Sequence, residues 1–379
     1  MKIKLGTLTL SLVLVLGACK NAQNSNEKKN QTEPKTETTY AKGYTLQHFA
    51  NYTKIVVRNP WDTTRIMETY ILIDRNKKVP ANLPQGTIVK VPVQRVATGS
   101  SVFAGEYKKL GNIGNIVAVS EPQYVDIPEI KNGLKNGKIA DLGMTTTLNT
   151  EKLIASKTDI LVISPFEESM HDRLKNNGIC VVKDASYMEE SPLGRMEWIK
   201  FEAAFLCKDS LANDIFSKIE KRYLDLCKQA SQAKTRPTVF TEKKYGDTWY
   251  VAAGNSYMGR FLKDAGANYL WSDLKNSGSV PYSFEKVFSK AINAQYWLIK
   301  YNNPQFDLTY KQLGEEYDLY KNFAAFKNRN VFAVNSGNTP YYEEGPMEPD
   351  VVLADLVSIF HPEIMPGYKA KYYLKIKEN

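Results

Sequence analysis

Short apolar runs recur along the chain, and helix-like segments separate them. Three runs precede a long helical region and three follow it, at 116–119, 160–163, 179–182, 238–241, 296–299 and 331–334. None alternates apolar with polar residues as a half-exposed antiparallel strand does, so each is expected to be a strand covered on both faces. This is typical of a parallel sheet flanked by helices. The two series therefore predict an α/β protein with two lobes and mostly parallel sheets.

One long helix is predicted between the two series. Apolar residues recur there every three or four positions and form one stripe along about six helical turns; they are Leu211, Ile215, Ile219, Tyr223, Leu226 and Ala230. The predicted order is a first lobe over 40–207, a spanning helix over 208–233 and a second lobe over 234–379. A single long helix is a stiff connector, so we expect a two-lobed body with a ligand cleft between the lobes.

The segment 40–91 has a different pattern. "TKIVVRNP" and "ETYILIDRN" are β-rich runs, and turn-forming residues close each of them. We interpret 40–91 as a β-rich addition to the first lobe. The sequence assigns this addition no role.

The N-terminal segment is predicted to lie outside the fold. Lys2 and Lys4 precede an apolar stretch, 5–16, that is too short to span a bilayer, as in a secretory signal peptide. The stretch ends in "LGAC", which resembles the lipobox of bacterial lipoproteins, so 1–18 is predicted to be the signal peptide and Cys19 the lipidated residue. A plain signal peptide with a chance cysteine is the alternative. The polar segment 19–39 is predicted to be a disordered tether, because it buries too little apolar surface to offset its ordering entropy.

The net charge indicates which kind of ligand the protein favours, and the cysteine positions indicate whether disulfides can form. The formal net charge of +9 is spread along the chain without an arginine-rich cluster. It indicates a mildly basic surface that favours anionic ligands, and not a nucleic-acid interface. Besides Cys19 the chain has Cys180, Cys207 and Cys227, of which the last two flank a predicted helix and lie too far apart to pair. All three are interpreted as buried free thiols.

Motifs of catalysis and of bare-metal binding are missing from the sequence. It has no G-x-S-x-G, H-E-x-x-H, Walker loop or G-x-G-x-x-G after a strand, so neither an enzyme nor a cofactor is predicted. Zinc and manganese sites need several histidine and carboxylate ligands. The histidines are His48, His171 and His361, so no metal site is predicted. Axial ligation of haem or cobalamin by a single tyrosine or histidine stays open.

One outline occurs twice in the chain. "NTEKLIASKTDILVI" over 149–163 and "SFEKVFSKAINAQYWLI" over 283–299 each have a Glu-Lys pair, two apolar residues, a short polar stretch and an apolar run. Each lobe is therefore predicted to contain the same helix-then-strand unit, with Glu151 or Glu285 near the start of its helix. A carboxylate at that position interacts favourably with the helix macrodipole, by about 0.3–1 kcal/mol.

These features together resemble a known family, the substrate-binding proteins of ABC importers for iron–siderophore complexes, haem and vitamin B12. The resemblance covers 93–363 and rests on the order lipoprotein signal, α/β lobe, spanning helix, α/β lobe. Local matches are "TLNTEKLIASKTDILVI", "SPLGRMEWIKFEAAFL", "FLKDAGANYLW" and "EPDVVLADLVSIFHPE". Thr158 stands where the family usually has proline, and Ala267 replaces a glycine.

The resemblance implies a role and partners. In the family, one exposed glutamate at the tip of each lobe docks onto arginines of the membrane permease, and Glu151 and Glu285 match those positions. The implied protein is a monomer, held to a membrane only by its lipid anchor and facing the periplasm, that delivers a ferric siderophore to an ABC permease with its ATPase. Haem or vitamin B12 is the alternative ligand. A surface lipoprotein that binds a protein or a glycan without a permease is the alternative class.

The candidate ligand contacts lie in loops after the predicted strands. In open α/β sheets, ligands bind outside the carboxyl ends of the strands. Aromatic rings there offer flat apolar area to a macrocycle or to catecholate rings, and lysines can offset the charge of a ferric chelate. The predicted contacts are Ser100, Ser101, Tyr124, Thr145, Thr146, Phe166, Lys243, Tyr245, Trp249, Tyr250, Tyr341 and Tyr342.

Overall fold

A computed structural model describes residues 36–165, Leu174 and 179–379. The predicted signal peptide, the lipidation site Cys19 and most of the predicted tether lie outside the described residues. Phe166 and His171 lie outside them as well. Within the part of the chain that is described, no helix is long and apolar enough to cross a membrane.

The β-rich addition forms a sheet of its own. Its strands, in the spatial order β1-β2-β3-β4, are β1 (Tyr44–His48), β2 (Thr53–Arg58), β3 (Ile66–Asp74) and β4 (Thr87–Val91). The first three pair antiparallel, and β4 pairs parallel to β3. Tyr44 and Tyr70 are fully buried and pack edge to face against Phe201, at centroid distances of 5.5 and 6.2 Å. The addition is therefore part of the core of the first lobe.

A parallel sheet forms the centre of the first lobe. Its order is β7-β6-β5-β8-β9, and every neighbouring pair is parallel. The strands are β5 (Val96–Thr98), β6 (Ile116–Val119), β7 (Ala140–Asp141), β8 (Ile160–Ile163) and β9 (Cys180–Lys183). The helices are α1 (Ser101–Lys109), α2 (Pro128–Lys135) and α3 (Thr150–Ala155). All residues of β6 and β8 are buried, as expected for strands covered on both faces.

Three helices lead from the first lobe to the second. They are α4 (Pro192–Met196), α5 (Trp198–Phe205) and α6 (Asp209–Ser231). Every residue of α5 is buried. On α6, Phe216 and Ile219 belong to the core of the first lobe, whereas Tyr223 and Ala230 belong to the core of the second. The apolar stripe of this one helix is thus shared between the two lobes.

The second lobe begins at β10 and has two sheets. Its larger sheet has the order β13-β10-β15-β16-β17 and is parallel except for β17, and its smaller sheet, β11-β12-β14, is antiparallel. The strands are β10 (Thr238–Thr241), β11 (Lys244–Tyr245), β12 (Thr248–Ala252), β13 (Asn268–Tyr269), β14 (Ser279–Tyr282), β15 (Tyr296–Tyr301), β16 (Val331–Asn335) and β17 (Leu374–Lys375). The helices are α7 (Tyr257–Asp264), α8 (Phe284–Ala291), α9 (Tyr310–Glu316), α10 (Ala324–Lys327), α11 (Tyr341–Glu344) and α12 (Pro349–Phe360).

Two buried glutamates fix the start of the fold. The backbone N–H groups of residues 39–41 donate to the carboxylate of Glu197 at 2.7 to 3.0 Å, and Lys200 pairs with the same carboxylate at 2.8 Å. The N–H groups of residues 42–43 donate to Glu189 at 2.8 and 2.9 Å. Because each carboxylate is supplied with several donors, its burial is compensated.

The predicted fold class is confirmed: two α/β lobes with mostly parallel sheets are joined by one long helix. The interpretation of the cysteines needs a correction. Cys180, Cys207 and Cys227 are free, but Cys207 is exposed and the other two are only half-buried. Cys207 follows the last turn of α5 with a positive φ of 54°, which turns the chain toward α6 at the surface.

Candidate functional site

A cavity of about 870 Å³ lies between the two lobes. It opens at the carboxyl ends of β5 and β6 in the first lobe and of β15 and β16 in the second, which is where ligands bind in open α/β sheets. The lining residues from the first lobe are Ser100, Ser101, Val102, Glu121, Gln123, Tyr124, Val125, Asp126 and Lys131. Those from the second lobe are Lys300, Tyr301, Asn302, Pro304, Ser336, Gly337, Tyr342 and Glu343.

The first-lobe wall presents hydroxyl groups and one exposed ring. Ser100 is the N-cap of α1 and accepts a hydrogen bond from the N–H of Val102 at 3.3 Å. Ser101 follows it in the first turn of the helix. Tyr124 ends a short 3₁₀ turn after β6, and 60% of its surface is exposed. Such an exposed phenol ring at the rim of a cavity offers an apolar face and a polar tip to a ligand.

The second-lobe wall is built by the ends of β15 and β16 and by α11. Tyr301 is half-buried, and its hydroxyl accepts a hydrogen bond from the N–H of Leu308 at 2.7 Å, which fixes its ring. Asn302 donates through its side-chain amide to Ser336 at 3.2 Å. Tyr342 on α11 is half-exposed and contacts Tyr341 edge to face, with ring centroids 5.6 Å apart. The wall therefore combines fixed polar groups with one accessible ring.

Positive and negative groups are balanced at the cavity. Lys300 forms an ion pair with Glu242. Burial alone would lower the pKa of Lys300, but the Glu242 carboxylate more than offsets this and raises the pKa above its usual value. Lys131 pairs with Asp126, so among the described residues neither lysine of the cavity lining lacks a carboxylate partner.

Glu343 and Glu121 add carboxylates to the same cavity. Glu343 accepts a hydrogen bond from the N–H of Asp126 across the lobe boundary at 2.5 Å. Its burial nevertheless raises the pKa of its carboxyl above the ordinary value. Glu121 is half-buried and forms no ion pair within the described residues. Among the described residues, the lining is therefore of mixed polarity and mixed charge, and it is not a basic pocket.

Four predicted contacts, Ser100, Ser101, Tyr124 and Tyr342, line this cavity. Lys243 lies in an adjoining groove of about 430 Å³ that shares Tyr301 and Asn302 with it. Its ammonium group pairs with Glu316.

Four further predicted contacts lie away from the cavity. Thr145 and Thr146 are in a 3₁₀ turn, and the Thr145 hydroxyl donates to the carbonyl of Gly99 at 2.9 Å. Tyr245 and Tyr250 are on the small antiparallel sheet, 82% and 47% exposed. None of these four side chains lines the cavity.

Two of the predicted contacts need correction. Trp249 is fully buried: its indole N–H donates to the carbonyl of Thr241 at 2.9 Å and its ring stacks on Trp297 at 5.9 Å. Tyr341 is also buried, and it packs edge to face against Tyr372 at 5.3 Å. Both rings belong to the core of the second lobe because the strand and helix that carry them turn these side chains inward.

The sequence interpretation missed several residues of the cavity. The rule used for the other loops, applied to "YNNP" and "SGN" after the predicted strands 296–299 and 331–334, identifies Tyr301, Asn302 and Ser336, but not the other five. The missed residues are Glu121, Asp126, Lys131, Lys300, Tyr301, Asn302, Ser336 and Glu343.

Glu151 and Glu285 occupy equivalent places in the two lobes. Each is exposed in the first turn of a short helix, α3 or α8, behind an N-cap, Asn149 or Ser283, whose side chain accepts from the N–H three residues on. Neither carboxylate forms an ion pair within the described residues. A hydrogen bond from its own backbone N–H, followed by one from the Ser283 hydroxyl, lowers the pKa of Glu285. Neither residue lines the cavity.

A two-lobed α/β body with a helix between the lobes and a polar cavity at the ends of both parallel sheets defines the class of a solute-binding protein. A sequence model of the family described as "Periplasmic binding protein" matches residues 96–336, well over half of the chain. The chain belongs to the periplasmic binding protein family. This confirms the resemblance drawn from the sequence motifs.

Two relatives with similar sequences are lipoproteins. An uncharacterized lipoprotein of Methanocaldococcus jannaschii is 26% identical, with 98% of this chain and 95% of the relative aligned. A second uncharacterized lipoprotein of that organism is 25% identical, with 98% of each chain aligned. Their similarity extends beyond the region matched by the family model.

Solved structures share the fold at low sequence identity. A possible iron-binding, periplasmic solute-binding protein of Staphylococcus epidermidis has a TM-score of 0.54 at 19% identity, covering 71% of this chain and 99% of that one. The periplasmic heme binding protein HutB of Vibrio cholerae has a TM-score of 0.54 at 17% identity, covering 69% and 98%. CeuE of Helicobacter pylori with Ni(II) bound has a TM-score of 0.56 at 16% identity, covering 74% and 88%. At these identities the likeness concerns the fold alone.

Proposed function

We propose that this protein is the lipid-anchored substrate-binding component of an ABC importer, and that it captures an iron–siderophore chelate and delivers it to the membrane permease. The observation that carries the proposal is the cavity of about 870 Å³ at the carboxyl ends of both parallel sheets, with walls from both lobes. Its size is in the range of cavities that enclose ligands of several hundred daltons. Membership of the periplasmic binding protein family supports the same class of function.

The lining bears on the chemistry of the chelate. Lys131, Lys300 and Lys243 each have a carboxylate partner, and Glu121 and Glu343 add negative charge nearby. Among the described residues, a strongly anionic chelate would meet these carboxylates without free ammonium groups to offset its charge. The proposed ligand is therefore a ferric chelate of low net charge, such as a hydroxamate complex, rather than a triply charged catecholate.

Haem or cobalamin is the second candidate ligand. Tyr124 and Tyr342 present phenol groups at the cavity from opposite lobes, and a phenol oxygen can ligate haem iron. One of the structural neighbours is a heme binding protein, which supports keeping this candidate. Neither His48 nor His361 lines the cavity, so a tyrosine is the proposed axial ligand in this alternative.

Anchoring and docking complete the proposal. Lipidation at Cys19 would hold the protein at a membrane outside the cytoplasm, and the lipoprotein relatives support this. The exposed Glu151 and Glu285, one on each lobe, would dock as a monomer onto basic groups of the permease. Two separate electrostatic contacts would orient the cavity with respect to the entrance of the permease.

The test is a set of parallel titrations followed by intrinsic tryptophan fluorescence and calorimetry. Purified protein is titrated with a ferric hydroxamate, a ferric catecholate, haemin, cyanocobalamin, and free Zn²⁺ and Mn²⁺. We expect saturable one-to-one binding of the ferric hydroxamate and at least tenfold weaker binding of the catecholate. Saturable binding of haemin or cyanocobalamin alone would select the second candidate. Tight binding of the free ions with no response to any chelate would overturn the proposal.

A further inference from the structure

Three carboxylates from separate parts of the first lobe meet in its interior. Glu106 lies on α1, Asp184 directly follows β9, and Glu202 lies on α5. One carboxylate oxygen from each residue lies within 4.8 Å of the corresponding oxygens of the other two. All three residues are fully buried. None of them lines the cavity between the lobes. This carboxylate cluster is therefore a feature separate from the proposed ligand site.

The cluster lacks donors. Within the described residues, both oxygens of Glu106 and Oδ2 of Asp184 have no hydrogen-bond partner, and Glu202 has only a poorly aligned interaction with the Tyr107 hydroxyl. Only Oδ1 of Asp184 is supplied, by the N–H of Ser186 at 2.7 Å. Buried carboxylates are expensive without compensation. Other buried carboxylates of this lobe do have hydrogen-bond donors, since Glu197 and Glu189 each accept several hydrogen bonds. The carboxylates of the cluster have fewer donors than these two.

A fourth oxygen-bearing group points into the same place. The hydroxyl of Tyr107 is fully buried and has no well-formed hydrogen bond within the described residues. Burial raises the pKa of Tyr107, and the nearby charges of Glu202, Glu106 and Asp184 raise it further. Tyr107, the residue after Glu106, therefore adds a neutral hydroxyl oxygen to the three carboxylates.

Charge balance bears on what could occupy the cluster. Burial raises the pKa of Glu106 and of Asp184 above their ordinary values, and Arg195, whose guanidinium lies 5.0 Å from the ring centre of Tyr257, acts in the opposite direction. Ionised carboxylates at all three positions, set against this one guanidinium, would leave two negative charges uncompensated. One divalent cation would balance them.

The ligand atoms indicate which cation. A set made only of carboxylate and hydroxyl oxygens, without histidine or cysteine, suits hard cations better than zinc or copper. Opposite ligands of Ca²⁺ lie about 4.6–5.2 Å apart, whereas those of Mg²⁺ lie about 4.0–4.2 Å apart and Mg²⁺ gives up its water reluctantly. The carboxylate oxygens lie within 4.8 Å of one another in a dry interior, which suits Ca²⁺ because Mg²⁺ usually keeps several of its waters.

We propose that Glu106, Asp184 and Glu202, with Tyr107, bind one Ca²⁺ ion that links α1, α5 and the end of β9 inside the first lobe. The ion is structural, because the site is closed to solvent and is not part of the ligand cavity. It joins the helix that carries Ser100 and Ser101 to the buried helix beneath the β-rich addition. This inference does not rest on the proposed function.

The first test measures the ion directly. Because the site is buried, the protein is unfolded and refolded either with Ca²⁺ or with a chelator, and each sample is desalted. We expect about one Ca²⁺ per chain by elemental mass spectrometry after refolding with Ca²⁺. We also expect a melting temperature about 4 °C or more above the chelator sample, as for an ion at a hundred times its Kd. No retained Ca²⁺ together with identical melting temperatures would overturn the proposal, and one equivalent of Mn²⁺ in preference to Ca²⁺ would overturn the choice of ion.

The second test separates the cluster from other carboxylates. In Glu106→Gln/Glu202→Gln the shape is kept and two charges are removed, so we expect at least tenfold weaker retention of Ca²⁺. Without Ca²⁺ this variant should melt at or above the temperature of the unsubstituted protein, because the repulsion is relieved. Glu129→Gln, at an exposed carboxylate in the first turn of α2, is the matched control and should retain one Ca²⁺. Full retention by the double variant, or equal loss in the control, would contradict the assignment.

Discussion

Gly105 of α1 and the backbone carbonyl of Glu343 in α11 lie so close together that a Cβ atom at position 105 would be 2.0 Å from the carbonyl oxygen. The contact joins the first lobe to the second, beside the cavity that Glu343 lines. Next to it, Lys108 pairs with Glu344 at 3.0 Å. A side chain at position 105 would push these two helices apart. Glycine at this position therefore permits the short distance between the lobes at this contact.

Gly105→Ala should therefore destabilise the protein and weaken ligand binding. Overpacking of this kind costs about 1–3 kcal/mol, and displacement of α11 moves Glu343 and Tyr342 at the cavity wall. Urea unfolding and ligand titration measure both effects. Gly114→Ala is the matched control, since no atom lies within 4 Å of its added Cβ. Unchanged stability and affinity in Gly105→Ala would mean that the two helices adapt to a methyl group.

The cavity and the exterior of the second lobe each carry accessible tyrosines, which gives a matched comparison. Tyr342→Ala removes a ring from the cavity wall, whereas Tyr245→Ala removes the more exposed ring of the small sheet. We expect about a tenfold loss of chelate affinity in the first variant, equivalent to about 1.4 kcal/mol, and no change in the second. Titration of both variants with the same chelate decides the matter. Equal losses of chelate affinity in the two variants would indicate that the ligand contacts the small sheet as well as the cavity.

Much of the fold could be predicted because its signals are local. The apolar runs of β6, β8 and β10 and the stripe along α6 depend only on neighbouring positions, and the structure has strands and a helix there. The prediction for Trp249 is wrong for a physical reason. The rule about strand ends applies to parallel strands, whereas β12 belongs to an antiparallel sheet that directs this ring into the core.

Part of the candidate site depends on contacts between distant positions. Glu106, Asp184 and Glu202 are ordinary acidic residues in sequence, and only the packing of α1, β9 and α5 brings them together. The pairing of Lys300 with Glu242 is equally invisible in sequence, although it removes the free positive charge expected from lysines near the cleft. Such long-range pairing decides the electrostatics of the site, and local patterns carry no information about it.

The predicted anchor is tested by one substitution. Cys19→Ser should abolish lipidation and move the protein from the membrane fraction to the soluble fraction, because the lipid attached to Cys19 is its proposed anchor. Fractionation and labelling with a radioactive or clickable fatty acid measure the two effects. Ligand affinity should not change. Retention in the membrane fraction after a high-salt wash would contradict lipidation at Cys19.

The repeated glutamates are tested by reversing their charges. Glu151 and Glu285 are exposed on different lobes and lie outside the cavity, so Glu151→Lys/Glu285→Lys should leave ligand affinity unchanged. If both dock onto basic groups of the permease, the double variant replaces two attractions by two repulsions. We expect at least a tenfold loss of binding to the permease in membranes or nanodiscs, and loss of uptake in cells. Each single reversal should give an intermediate loss.

The same variant distinguishes docking from helix stabilisation. Both carboxylates lie in the first turn of a helix, where a negative charge interacts favourably with the macrodipole. A purely structural role would lower the melting temperature and leave permease binding intact. Glu129→Lys/Asp214→Lys is the control, because it changes the net charge equally at two exposed carboxylates, one of them also in the first turn of a helix. Docking at Glu151 and Glu285 requires that this control binds the permease normally, and equal losses in both double variants would reduce the effect to net charge alone.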